Sequence, residues 1–170
     1  MGGCCSAILK TGASETYLLK ALNINQEIDE DYAVGLSQAE LGNNYKNKGF
    51  FSEALEYHLK AMGKFRSQNM AFNEFRVMLV IAGTYARLGQ YSEAEKYIEY
   101  ALPLAEDFNE YYSLGRIYTT ASKINLWKGK TAEAINDLQE AFENFQLAER
   151  EYQAANTLTS LVLLYLEAGD

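Results

Sequence analysis

The sequence predicts an all-α fold, an α-solenoid of antiparallel helical hairpins, on three observations. A 40-residue period runs through the chain without slipping, so that Gly49, Gly89, Gly129 and Gly169 coincide. Alanines coincide in the same frame, Ala54 with Ala94 and Ala134, and Ala61 with Ala101 and Ala141. Within each period the apolar and small residues return at helical rather than strand intervals. Such a period means stacked supersecondary units, none able to bury its apolar face alone. Protein binding is the kind of work this architecture suits.

The elements follow in order. Residues 1–13 read as an N-terminal segment expected to be flexible, ahead of a solenoid spanning 14–170. Tyr17, Leu19, Lys20 and Ala21 stand forty residues ahead of Tyr57, Leu59, Lys60 and Ala61. The stretch 14–28 is therefore half a repeat, the second helix of a hairpin. Three full repeats cover 31–68, 71–108 and 111–148, and a half repeat, a first helix, covers 151–170. Half-repeats at both ends lead us to expect a piece of a longer array.

In the first full repeat Leu41, Gly42 and Tyr45 share one helical face, and Ala54, Tyr57 or His58, and Ala61 share another. Between them Asn47-Lys48-Gly49 reads as a helix end, with a basic residue in the last turn and glycine where left-handed backbone is needed. Ser52 is expected to cap the next helix, as are Ser92 and Thr131 after Gly89 and Gly129. Gly42 and Ala54 sit where two helices must cross closely. Aromatic ladders recur at Tyr32, Phe72, Tyr112 and Tyr152, and at Tyr45, Tyr85 and Tyr165 with Asn125 as the break. Both read as core between repeats.

In the last helix Leu158, Leu161, Val162 and Tyr165 can pack inward, which leaves Leu163, Leu164 and Leu166 pointing elsewhere. At roughly 1.5–3 kcal/mol per large apolar side chain, that surplus calls for a cover. Self-association through Leu163, Leu164 and Leu166, or further sequence, would supply it.

Composition narrows the function. The 170 residues carry 23 acidic and 15 basic side chains, a net charge of -8, which argues against binding nucleic-acid phosphates. The longest apolar run, Leu161 to Leu166, is far too short to span a bilayer. The cysteines, Cys4 and Cys5, are sequence neighbours that cannot easily meet disulfide geometry, and they suggest a reducing compartment. No secretory signal is visible, so a cytoplasmic location is expected. His58 is the sole histidine and stands at a helix-packing position, which reads as a satisfied core residue. No metal-ligand spacing and no phosphate-cradling loop occurs, so neither an enzyme nor a cofactor is expected. The start Met1-Gly2-Gly3-Cys4-Cys5-Ser6 fits N-myristoylation at Gly2 with palmitoylation at Cys4 or Cys5. Two acyl chains would anchor the protein stably, which gives a lipid-anchored membrane adaptor as one alternative.

The pattern Leu41-Gly42, Tyr45, Gly49, Ala54 and Ala61 resembles the tetratricopeptide repeat. Tyr85, Gly89, Ala94 and Ala101 match in the second unit, with Ile81-Ala82 for Leu-Gly. Gly129, Ala134 and Ala141 match in the third, which departs at Ala121-Ser122 and Asn125. Six residues more than the usual repeat place the chain with the long-repeat subclass, similar to kinesin light chains, spindle-orientation adaptors and bacterial peptide-sensing regulators. The resemblance implies a right-handed solenoid with first helices lining a concave groove and second helices outside. Groove positions then fall on Asn43, Lys46, Asn47, Arg76, Gly83, Arg87, Arg116, Lys123 and Trp127.

Sorting charges in that frame puts Glu93, Glu95, Glu99, Glu106, Asp107, Glu133, Asp137, Glu140 and Glu143 on the exterior, and a basic stripe inside. Such a stripe would steer an acidic peptide or partner helix, with Arg76, Arg87 and Arg116 gripping carboxylates and Trp127 as the desolvated anchor. Basic residues on exposed helix faces equally pair with nearby carboxylates or stay solvated, so the stripe alone has little specificity. Asn43 matches the position at which long-repeat relatives hold an extended peptide backbone, and the later equivalents are Gly83, Lys123 and Leu163. Ala39 stands where chaperone-binding relatives carry a clamp lysine, which disfavours chaperone tails. A regulatory segment of a larger signalling protein is the other alternative.

Overall fold

A computed structural model describes the backbone of residues 3–168 and the side chains of residues 14–167. Among these residues it is all-α, with eight helices in chain order: α1 (Gly3–Glu27), α2 (Asp31–Asn47), α3 (Phe51–Ser67), α4 (Ala71–Arg87), α5 (Tyr91–Asp107), α6 (Tyr111–Trp127), α7 (Thr131–Leu147) and α8 (Glu151–Ala168). Gly169, the last glycine of the sequence period, lies outside the described residues.

The turns explain the spacing. Helices α2 to α7 are each 17 residues long. Three-residue turns separate them, so the backbone repeats every 20 residues, half the sequence period. Each turn has its middle residue in the left-handed region: Gly49, Gly89 and Gly129 at φ 85°, 71° and 74°, and Asp29, Asn69, Asn109 and Glu149 at φ 52–56°. The following amide then reaches back five residues, as in Phe50 N–H to the Tyr45 carbonyl at 3.0 Å and Met70 N–H to Phe65 at 2.9 Å. This closes the helix with a Schellman turn.

The same residue opens the next helix, because the Phe50 carbonyl accepts from Ala54 N–H at 3.0 Å. Phe50, Gln90 and Lys130 are therefore the N-cap residues, and none of them makes a side-chain capping bond. The expectation that Ser52, Ser92 and Thr131 cap these helices is overturned. With only three residues per turn, those positions already lie inside the first helical turn.

Two compact units, Met1–Thr84 and Tyr85–Asp170, divide the chain. In the first, Leu22, Val34 and Leu41 form a core with Leu18, Tyr45 and Tyr57 packed on it. In the second, Ala134, Leu138, Leu161 and Leu164 form one cluster, and Ala141, Phe145 and Ala154 another. The six periodic alanines are fully buried. A Cβ on Gly42 would stand 2.7 Å from the His58 ring, and one on Gly115 2.7 Å from Phe145, so these hairpins close too tightly for any side chain there.

The tyrosine ladders work between repeats, as Tyr45 does by packing with Leu18 and Leu22 of α1, and also within hairpins. Tyr45 stacks on Tyr57 at 5.4 Å, and Tyr85 on Tyr97 at 5.8 Å. In the third repeat the equivalent pair is Asn125 and Asp137, joined by a 2.7 Å bond from the amide to the carboxylate. Asp137 is thus half-buried and not part of an acidic exterior; burial raises its carboxyl above the ordinary value, and the Asn125 bond opposes that. Tyr32 and Tyr112 likewise lean on Phe65 and Phe145 of their own hairpins, at 6.1 and 6.0 Å.

Candidate peptide-binding face

The candidate residues occupy first-helix positions in both units. In the first unit α2 carries Asn43, Lys46 and Asn47, and α4 carries Arg76. Asn43 is half-buried, and its Oδ1 lies 3.3 Å from His58 Nε2. Its carbonyl is thus turned towards the core, which leaves the amide nitrogen for any outside acceptor. Lys46 lies near the same histidine and helps to depress its pKa, after desolvation, to about 4. His58 is a core residue as expected, but not a fully satisfied one, since its Nδ1 has no hydrogen-bond partner. Asn47 is exposed at the end of α2. The Arg76 guanidinium sits over the Phe72 ring at 6.0 Å.

The second unit holds Arg87, Arg116, Lys123 and Trp127. Arg87 ends α4 and is exposed. On α6, Arg116, Lys123 and Trp127 recur at intervals of seven and four, which places them on one helix face. Arg116 lies over the Tyr112 ring at 5.9 Å, and Arg150, which the sequence reading missed, lies 5.2 Å from the same ring. Trp127 is half-exposed and packs on Tyr91 at 5.3 Å, so the indole is held in place before any ligand arrives.

Beside this face, α6, α7 and α8 enclose a cleft of about 230 Å³. Leu138 and Leu164 form part of its apolar wall with Leu126 and Leu163, and Lys123 and Glu167 contribute the charged groups. Its hydroxyls are largely spent: Thr119 and Ser160 donate to the Gly115 and Asn156 carbonyls at 2.8 and 3.1 Å. Apart from Lys123, Glu167 and the Ser122 hydroxyl the remaining lining is apolar, and the cleft's volume is below that of typical small-molecule sites and fits one side chain of a larger ligand.

Leu164 is buried here, at 7% exposure, which removes it from the expected self-association surface. Its neighbours in the helical wheel explain this: Ala154, Thr157, Leu161 and Leu164 form the inward stripe, while Leu158 and Val162, expected inside, are exposed. Leu163 and Leu166 are exposed as expected.

Ion pairs tie neighbouring repeats together at a recurrent place. Lys48 pairs with Glu15, and eighty residues on Lys128 pairs with Glu95. Tyr45 also donates to Glu15 at 2.7 Å, which pushes the phenol up to about 12, while the Lys48 bond first of all pulls Glu15 below the usual carboxylate range. These cations stand one position beyond the helices and are structural. Gly2 lies outside the described residues, as do the side chains of Cys4 and Cys5. Among the described residues no helix is long and apolar enough to cross a membrane, and no group of three acidic, cysteine or histidine side chains could hold a metal.

Repeated antiparallel hairpins with a periodic small-residue core define a helical-repeat protein. The repeats are tetratricopeptide-like, and comparisons with known proteins agree. No family model matches the chain. It is similar to the regulatory protein RapG of Bacillus subtilis, 22% identical over 113 residues, which are 66% of this chain and 31% of RapG. It is similar to tetratricopeptide repeat protein 29 of Trypanosoma brucei brucei, 31% identical over 91 residues, 54% of this chain and 19% of that protein. The chain thus spans a third or less of these relatives. Among solved structures, BtubC (BKLC) from P. vanneervenii superposes with a TM-score of 0.75 at 17% identity, over 94% of this chain and 67% of that one. A Rap protein complexed with competence and sporulation factor superposes with a TM-score of 0.62 at 17% identity, over 95% of this chain and 49% of the other.

Proposed function

We propose that the chain is a noncatalytic interaction module that binds a peptide or partner helix on its first-helix faces. The observation that carries this is the α6 face, where Arg116, Lys123 and Trp127 line up beside an apolar cleft sized for one side chain. A ligand with an apolar residue next to acidic ones fits: the cleft takes the first, and Arg116 and Lys123 meet the second. Asn43, Lys46, Asn47, Arg76 and Arg87 are the corresponding contacts on the other first helices. The Rap protein whose fold this chain shares is complexed with competence and sporulation factor, which supports a peptide-type ligand.

The test is fluorescence polarisation against a panel of acidic, neutral and basic peptides, each with and without one large apolar residue. Binding is expected for the acidic, apolar-bearing set and is lost in an Arg116→Glu/Lys123→Glu variant. Unchanged affinity in that variant sinks the basic face.

A regulatory segment of a larger signalling protein is the second reading, favoured by the similarity to RapG, a regulatory protein of which the matched residues are 31%. It uses the same face. The expected readout is that peptide binding changes the affinity for a second partner.

A further inference from the structure

The first hairpin shows how a second helix closes on its first. The second helix turns the stripe represented by Tyr57, Ala61, Lys64 and Gln68 towards its own first helix, where Tyr57 stacks on Tyr45 and both Lys64 and Gln68 bond Asp31. Helix α1 and the turn residue after it carry the equivalent stripe in Tyr17, Ala21, Ile24 and Ile28. It is uncovered: Tyr17, Ile24 and Ile28 are 70%, 56% and 61% exposed, and Ala21 is half-exposed where Ala61, Ala101 and Ala141 are at 0%.

Helix α8 shows the complementary half. Its Ala155 and Val162 stand at the positions of Gly115 and Ser122, which are buried in the α6–α7 hairpin, with Gly115 against Phe145. In α8 both are exposed, Val162 at 52%, and Tyr152, Leu158 and Leu166 extend the apolar stripe at 75%, 47% and 68%. Tyr165 occupies the place of Tyr45 and Tyr85, each of which stacks on a tyrosine of its hairpin partner. Tyr17 occupies the place of those partners.

We propose that α8 of one copy and α1 of a second copy form the missing hairpin, so that the chain associates head to tail. Tyr165 stacks on the second copy's Tyr17 as Tyr45 stacks on Tyr57, and Ile24 and Ile28 cover the start of α8 near Tyr152 and Ala155. Apolar burial drives the contact; Glu151 stands at the Asp31 position and meets Ile24 and Ile28 where Asp31 meets Lys64 and Gln68, so its carboxylate has to stay at the solvated edge. The two surfaces differ, which makes the interface heterologous, so a copy with one face blocked still offers the other. Isologous pairing of two α8 faces would leave tyrosine without its register partner.

The test is sedimentation analysis of the full chain across a dilution series, with circular dichroism to confirm helicity. The wild type is expected to form a concentration-dependent ladder of oligomers. Ile24→Asp blocks the α1 face and Val162→Asp the α8 face; both positions are exposed, so the fold stands. Each variant alone is expected to be monomeric, and the mixture is expected to form a 1:1 heterodimer that grows no further. A wild type that remains monomeric throughout overturns the proposal and assigns these faces to other helices. An Ile24→Asp variant that still dimerises alone overturns it in favour of α8–α8 pairing.

Discussion

His58 Nε2 lies 3.3 Å from Asn43 Oδ1, which ties a residue of the candidate face directly to the core of its hairpin. The imidazole is almost wholly buried, and desolvation, with the Lys46 charge second, holds its pKa at about 4 against an ordinary 6.5. Between those values the unfolded chain binds a proton that the folded chain refuses. Stability is therefore complete above pH 6.5 and falls as the pH drops towards 4, by about 3 kcal/mol if the whole shift is realised. Glu15 and Asp31, whose pKa values are lowered by Lys48 and Lys64, lose their contribution only at more acid pH, below the ordinary 4.5 and 3.8. Urea unfolding of the wild type and His58→Leu across this range separates the two. The variant is expected to lack the loss between pH 6.5 and 4; parallel curves would show that His58 titrates normally.

Gly42 depends on the same ring. A Cβ there would meet three imidazole atoms at 2.7–2.8 Å, and a buried ring has no room to swing aside. Gly42→Ala is expected to cost about 1–3 kcal/mol in the wild type and markedly less in a His58→Ala background. Additive losses in the double-mutant cycle would mean that the two side chains do not compete for space.

The 40-residue period was legible because glycine at Gly49, Gly89 and Gly129 answers a backbone demand that few other residues meet. The deeper 20-residue period was harder to read, because in alternate turns glycine gives way to Asp29, Asn69 and Asn109, whose short polar side chains tolerate the conformation, and to Glu149, which lacks that advantage. That same compression of the turn misplaced the caps at Ser52, Ser92 and Thr131. For the candidate face, the stripe of Arg116, Lys123 and Trp127 follows from helical spacing alone. The cleft beside it could not be read, since it depends on how α8 seats Leu163 and Leu164 against Leu138. Arg150 was missed for a similar reason: it sits in a turn 38 positions from the ring it covers.

The left-handed turns give a stability prediction. Glu149 holds φ 55° with a Cβ that this conformation disfavours, whereas Gly129 does so without one. Glu149→Gly is expected to stabilise by about 1 kcal/mol and Gly129→Ala to destabilise by about the same. Thermal or urea midpoints measure both, and equal effects of like sign would refute the turn assignment.

The Asn125–Asp137 pair stands where the other two full repeats have stacked tyrosines, and it confines a carboxylate that burial makes harder to ionise. Because the folded pKa is raised above 3.8, the charged form penalises folding, and the penalty grows as pH rises from there through the folded pKa. Replacing one partner alone leaves either a half-buried carboxylate without its amide donor or a tyrosine without its ring partner, so each single variant should be destabilised. Asn125→Tyr with Asp137→Tyr restores the stack seen in the other two hairpins, and the coupling in a double-mutant cycle is expected to favour the pair by about 0.5–1.5 kcal/mol. The double variant also removes a group that titrates on unfolding. Its stability at neutral pH should therefore gain relative to the wild type more than its stability at pH 4 does. A coupling near zero would show that the third hairpin is packed differently from the first two.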